Sequence, residues 1–182
     1  MARTTTSKTN KTSKSVLGEL NKNVTTSSPF VEENVEIGAD ELIRCTSITF
    51  GGLSCISPLT NIVYRWYEFG DEELITYKEL EQIYRSNRDF IVKPYFIIQD
   101  ERVVDKFRLV DTYALVADIQ RLEDTLQNDT VKANKVIDEA LSKNLKEIVV
   151  SKLRYMRVKG KLTNIDVIKQ LESKLNIALR SE

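Results

Sequence analysis

From Ile62 to Phe69 the chain reads Ile-Val-Tyr-Arg-Trp-Tyr-Glu-Phe. Alternation puts Ile62, Tyr64 and Trp66 on one face and Val63, Arg65, Tyr67 and Phe69 on the other. Large apolar area on both faces predicts a central strand with structure against each side. Upstream, Leu42, Arg44 and Thr46 alternate with Ile43 and Cys45, and Gly51-Gly52 offers the turn a hairpin needs before Leu53 to Ser57 returns as a second strand. Pro58 to Asn61 is a further turn, so three strands are expected in an antiparallel meander. Gly70-Asp71-Glu72-Glu73 breaks the aromatic strand, and Leu74-Ile75 can add a short fourth. Thr76 and Glu79 have capping-box spacing in front of a helix carrying Leu80, Ile83 and Tyr84. Pro94 to Ile98 reads as one more buried strand, and Asp100 caps a short helix with Val103, Val104 and Phe107 facing inward.

From Asp111 onward the apolar spacing becomes helical, with no proline and a single glycine. One helix is expected over Ala114 to Leu126, on Leu115, Ile119, Leu122 and Leu126, and a second over Thr130 to Leu141. A third follows over Leu145 to Val158, stopped at Lys159-Gly160-Lys161, and Thr163-x-x-Asp166 opens a last one with Ile168, Leu171 and Leu175. The fold class is therefore α+β: a small antiparallel meander of about four or five strands with a packed helix over 41–110, then a helical bundle over 111–182. Residues 1–40 read as an extended basic N-terminal arm joined to an acidic linker carrying Glu32, Glu33 and Glu36.

Composition agrees with a packed core, at 41% hydrophobic and 30% charged residues. Apolar runs such as Tyr95 to Ile98 are too short to span a bilayer, so no membrane partner is expected, and the first residues lack a secretory apolar segment. Net charge is zero but unevenly placed. Residues 1–30 hold Arg3, Lys8, Lys11, Lys14 and Lys22 against Glu19, an excess of four positive charges that leaves the remainder equally negative. The arm has few apolar residues, and Val16, Leu17 and Leu20 can lie on one side of two helical turns. Too little can be buried there to order the segment without a partner.

Candidate chemistry is sparse. There is no histidine, which removes the commonest general base, and with only Cys45 and Cys55 a Cys/His zinc site within one chain is excluded. The two cysteines read as reduced thiols packed as small hydrophobes. Asp71, Glu72 and Glu73 could hold a divalent cation through oxygen, or simply keep a turn wet. Asp100-Glu101 and Glu123-Asp124 sit where helix caps and solvated faces account for them, and no serine has the partner a nucleophile needs. No catalytic, cofactor or metal residue is assigned. Lys143, Lys146, Lys152, Arg154, Arg157, Lys159 and Lys161 give the third bundle helix a basic face, read first as solvated and second as a phosphate-binding patch. The residues assigned to partner binding are Lys8, Lys11, Lys14, Val16, Leu17 and Leu20 of the arm, with Trp66 and Tyr67 of the aromatic strand.

Gly52-Leu53, Ser57-Pro58, Phe69-Gly70-Asp71, Thr76-Tyr77-Lys78-Glu79-Leu80, Pro94 to Ile98 and the pair Asp100-Glu101 together form a pattern. In it, the stretch from about Glu41 to Leu109 resembles small virion-associated structural proteins of tailed bacteriophages. The resemblance covers about two fifths of the chain and includes no catalytic residue. It implies a non-enzymatic role in the head, the head-tail junction or the tail. The expected partners are capsid, portal or tail subunits, with many copies in one assembly. The location would be the virion, after synthesis in the host cytoplasm. The alternative is a small nucleic-acid-binding or regulatory protein using the basic arm, although five cations over thirty residues without interleaved aromatics are thin for that purpose.

Overall fold

Strand β1 (Leu42–Ser47) is the axis of the strand region, lying between β4 (Glu72–Thr76) and β5 (Phe96–Ile98) in an antiparallel sheet of order β4-β1-β5. These elements belong to the computed structural model, which describes residues 36–179, all within one unit, Glu36–Glu182. The arm residues Lys8, Lys11, Lys14, Val16, Leu17 and Leu20 lie outside the described residues. Alternation along β1 buries Ile43, Cys45 and Ser47 and leaves Leu42 and Arg44 outward.

A second, two-stranded antiparallel sheet pairs β2 (Leu53–Ile56) with β3 (Val63–Trp66), in the register Leu53 to Trp66 and Ile56 to Val63. The expected meander is thus corrected at its first turn, because β2 does not pair with β1. The reason lies at the end of β1, where both edges of the chain are already taken. Ser47 N–H donates to Asp71 O (2.8 Å), Ser47 O accepts from Gly70 N–H (2.9 Å), and Ile48 N–H donates to Tyr95 O (3.0 Å). The chain leaves the sheet there and bends at Gly51, whose φ of +89° suits glycine. The central strand is therefore β1, and β3 is not central. It has one partner strand and one buried face, Tyr64 and Trp66, while Val63 and Arg65 are exposed.

Four of the eight helices among the described residues start where a side chain accepts from their first amides. Helix α1 (Tyr77–Ser86) begins at Thr76, whose Oγ1 accepts from Glu79 N–H (3.4 Å), and α2 (Arg88–Val92) follows directly. Asp100 caps α3 (Glu101–Lys106) by accepting from the N–H groups of Arg102 (2.9 Å) and Val103 (3.3 Å). The single helix expected over Ala114 to Leu126 is two: α4 (Val110–Gln120) and α5 (Leu122–Asn128). They break at Arg121, whose N–H folds back to Ala117 O (3.2 Å) and Asp118 O (3.1 Å). Helices α6 (Thr130–Ser142), α7 (Lys146–Val158) and α8 (Ile165–Leu175) complete the bundle. The cap of α8 is Asn164, one residue after the expected Thr163. Its Oδ1 accepts from Asp166 N–H (3.0 Å) and Val167 N–H (3.3 Å).

Apolar burial falls into two clusters. One joins both sheets to α1, α2 and α3 through Ile43, Trp66, Leu80, Ile91, Phe96 and Val103. The other is the bundle interior, with Leu115, Ile119, Ile137, Leu153, Met156 and Leu171. Ile48, Ile97 and Phe69 reach from the strand region into the bundle cluster, and the Phe69 ring stacks on Tyr155 at a centroid distance of 4.4 Å. The fold is α+β.

Candidate interaction surface

The β2–β3 hairpin has one face fastened to the body and one face open. On the fastened face Trp66 is 1% exposed, stacks on Phe96 at 5.1 Å and donates from Nε1 to Cys45 O at 2.9 Å. This corrects the assignment of Trp66 to partner binding: a residue so enclosed, with its N–H already satisfied, belongs to the core and presents nothing to a neighbour. Tyr67, one residue beyond the strand, is 77% exposed.

The second fastening is Glu79, a carboxylate only 4% exposed. It accepts from the hydroxyls of Tyr64, Thr60 and Thr76, the last at 3.1 Å. Burial alone would push its carboxyl up. Hydrogen bonds from Thr60, Tyr64, Ser57 and Thr76 outweigh that, so its pKa lies below the ordinary value and the group is ionised at neutral pH. Burial first, and the adjacent Glu79 second, push the Tyr64 phenol up, which keeps it a donor. No cation pairs with Glu79 among the described residues. One buried charge therefore ties the Pro58–Asn61 turn, β3 and the start of α1 by hydroxyl donors alone.

The open face is apolar. Ile56 (62% exposed) lies directly opposite Val63 (43% exposed), and Leu59 and Ile62 in the connecting turn are exposed as well. Arg65 and Ser54 form the next pair on the same face. The turn is held in shape from within. Ser57 Oγ accepts from Leu59 N–H (3.2 Å) and Thr60 N–H (3.3 Å), Ser57 N–H donates to Ile62 O (2.8 Å), and Asn61 takes the left-handed conformation at φ 59°. Four large apolar side chains within eight residues are thus displayed on a fixed support, an arrangement that marks an interaction surface more than a random scatter does. Alternation over Ile62 to Phe69 marks two apolar faces, of which the chain buries only the one carrying Tyr64 and Trp66.

The other candidates are disposed differently. Asp71 closes its turn by accepting at Oδ2 from Tyr67 N–H (2.8 Å) and Glu68 N–H (3.1 Å), and Glu72 pairs with Arg44 at 3.3 Å. Among the described residues no group of three or more His, Cys, Asp or Glu is placed to hold a metal ion. Four of the seven cations of α7 and its flanks are engaged within the protein. Lys152 is buried beside the stacked Phe69 and Tyr155 rings, its Nζ 5.7 Å from each ring centroid, and desolvation lowers its pKa. Lys143 pairs with Glu139 and Lys161 with Glu123, and Arg157 donates to Leu162 O. Cys45 and Cys55 are both buried free thiols. Burial, with Cys55 nearby, raises the Cys45 thiol far above its ordinary range, and burial pushes Cys55 up to about 11. Compared with known protein families, curated proteins and solved structures, the chain matches none.

Proposed function

We propose that this chain is a non-enzymatic structural component of a tailed-phage virion that docks on neighbouring subunits through the outer face of the β2–β3 hairpin. The observation that carries the reading is the exposed pair Ile56 and Val63, with Leu59 and Ile62 exposed in the turn between them, whose backbone is internally tied. The resemblance of residues 41–109 to small virion-associated proteins supports the choice of assembly. Covering the exposed parts of these four side chains contributes on the order of 3–5 kcal/mol before association costs. That is too little for a lasting one-to-one complex, and it suits a protein present in many copies whose weak contacts multiply. Tyr67 and Arg65 supply the polar and aromatic margin of such a contact. Lys143, Lys152 and Lys161 are engaged within the protein, which favours this reading over the nucleic-acid alternative.

The test is mass spectrometry of density-purified particles from the phage genome that encodes the chain. The expected result is the protein in fixed ratio to a major structural subunit. Complete, infectious particles that lack it, with the protein confined to the soluble lysate, would remove the proposal.

A further inference from the structure

A groove of about 500 Å³ runs between β5, α3 and α4 and shares no residue with the hairpin surface. Its volume lies within the range of ligand-binding clefts. Its floor is apolar, with Ile97, Val104 and Val116, and Val110 stands 53% exposed beside it. Three carboxylates line it, Asp100, Glu101 and Asp105, and no lysine or arginine does. Helical spacing accounts for the segregation: Glu101, Val104 and Asp105 share one side of α3. The cations of α3 are occupied elsewhere, Arg102 with Glu41 and Asp100, and Lys106 over the Tyr77 ring at 4.7 Å. Asp100 is itself held by Arg102 and by the cap of α3. Glu101 and Asp105 make no ion pair among the described residues and are exposed at the rim.

The backbone edge beside the groove is closed to a further strand, because Ile98 N–H already donates to the Tyr113 hydroxyl at 3.1 Å. An occupant is thus recognised by side chains and not by strand addition. The chemistry required is a short segment with two or three apolar side chains flanked by lysines. The chain carries one outside the described residues: Val16, Leu17 and Leu20, flanked by Lys11, Lys14 and Lys22. It lies in the stretch that holds the chain's excess of positive charge, opposite in sign to the groove rim. The fifteen residues between Leu20 and Glu36 can extend to about 50 Å, against a radius of gyration near 15 Å for a body of this size. That reach is ample for a neighbouring subunit.

We propose that the groove receives residues Lys11–Lys22 of a second copy of this chain. Val16, Leu17 and Leu20 contact the apolar floor, and the lysines face Glu101 and Asp105. Successive copies are then linked arm to groove, a heterologous contact that propagates along an assembly.

The experiment uses full-length protein with a benzophenone amino acid in place of Val110, prepared as equal pools of natural-abundance and ¹⁵N chains that are mixed and irradiated at low salt. Mass spectrometry is expected to find the probe joined to peptides from residues 11–22, with roughly half of the cross-links isotopically mixed, as random pairing of equal pools requires. The exposed double substitution Glu101→Lys with Asp105→Lys is expected to lower that yield several-fold while leaving the Tm close to that of the parent. Cross-links that avoid residues 11–22, that are isotopically pure, or that persist undiminished in the charge-reversed protein would each overturn the proposal. Particle incorporation through the hairpin face is read separately, so the two proposals fail independently.

Discussion

Removing the Glu79 carboxylate should loosen the hairpin from the body, and the size of the effect follows from the groups it leaves behind. Glu79→Ala strips the acceptor from three hydroxyls. Thr60 is exposed and can turn to water, whereas the Tyr64 hydroxyl is buried and Thr76 half-buried. A hydrogen bond to a charged group is worth about 1.5–3 kcal/mol by substitution, and a stranded buried donor carries a similar cost. Glu79→Ala is therefore expected to lose about 3–4 kcal/mol, and Tyr64→Phe, which removes one donor only, about 1.5–3 kcal/mol. The assay is urea unfolding at neutral pH, with a lower midpoint at unchanged slope. In a double-mutant cycle Tyr64→Phe should cost less by about 1 kcal/mol or more once Glu79 is gone. The pH dependence gives a second check. The folded-state pKa of Glu79 lies below its ordinary value of 4.5. Its contribution is therefore complete above that pH and is lost as the pH falls through the folded-state value. The gap between parent and Glu79→Ala should stay constant at neutral pH and close below about pH 4.5. A loss under about 0.5 kcal/mol for Glu79→Ala, the size of an ordinary surface change, would refute the reasoning.

Three further outcomes follow from the same geometry. Lys152→Met should be neutral or stabilising, because the ammonium is buried without a carboxylate within ion-pair distance among the described residues. Burial lowers the folded-state pKa of Lys152, so the unfolded chain binds more protons above that value. The stability of the parent should accordingly rise toward that of Lys152→Met as pH increases through the alkaline range, in thermal melts compared across pH. Cys45 and Cys55 should resist a thiol reagent at neutral pH in the native protein and both react on unfolding, which a colorimetric thiol assay with and without denaturant would show. Phe69→Ala should cost about 1–3 kcal/mol through lost burial and the lost stack on Tyr155, measured by chemical denaturation.

The elements themselves were largely readable from period and caps. Asp100 and Thr76 announced α3 and α1, and Ile148, Val149, Leu153 and Met156 marked α7. Pairing was not readable, because alternation reports which face a side chain takes and not which strand lies beside it. The Gly51-Gly52 turn suggested a hairpin, but Asp71, Gly70 and Tyr95 had already claimed the end of β1. The break at Arg121 was equally hidden, since Leu115, Ile119, Leu122 and Leu126 keep helical spacing across it. Of the two aromatics assigned to a partner, Tyr67 is exposed, whereas Trp66 shares the inward face of β3 with Tyr64, and alternation alone does not say which face is covered. Glu79 read as a capping-box residue, and its bond to Tyr64 joins positions fifteen residues apart that no local pattern connects.

The central claim is that the outer face of the β2–β3 hairpin attaches this protein to a particle. It is tested most directly by supplying equal amounts of the parent and an Ile56→Lys, Val63→Lys variant during one infection and measuring their ratio in purified particles by mass spectrometry. Both residues point away from the core, so the variant should keep the parent's Tm. Particles are expected to carry the parent and to be depleted of the variant at least tenfold, with both equally abundant in the soluble lysate. Incorporation of the two in equal amounts would contradict that claim.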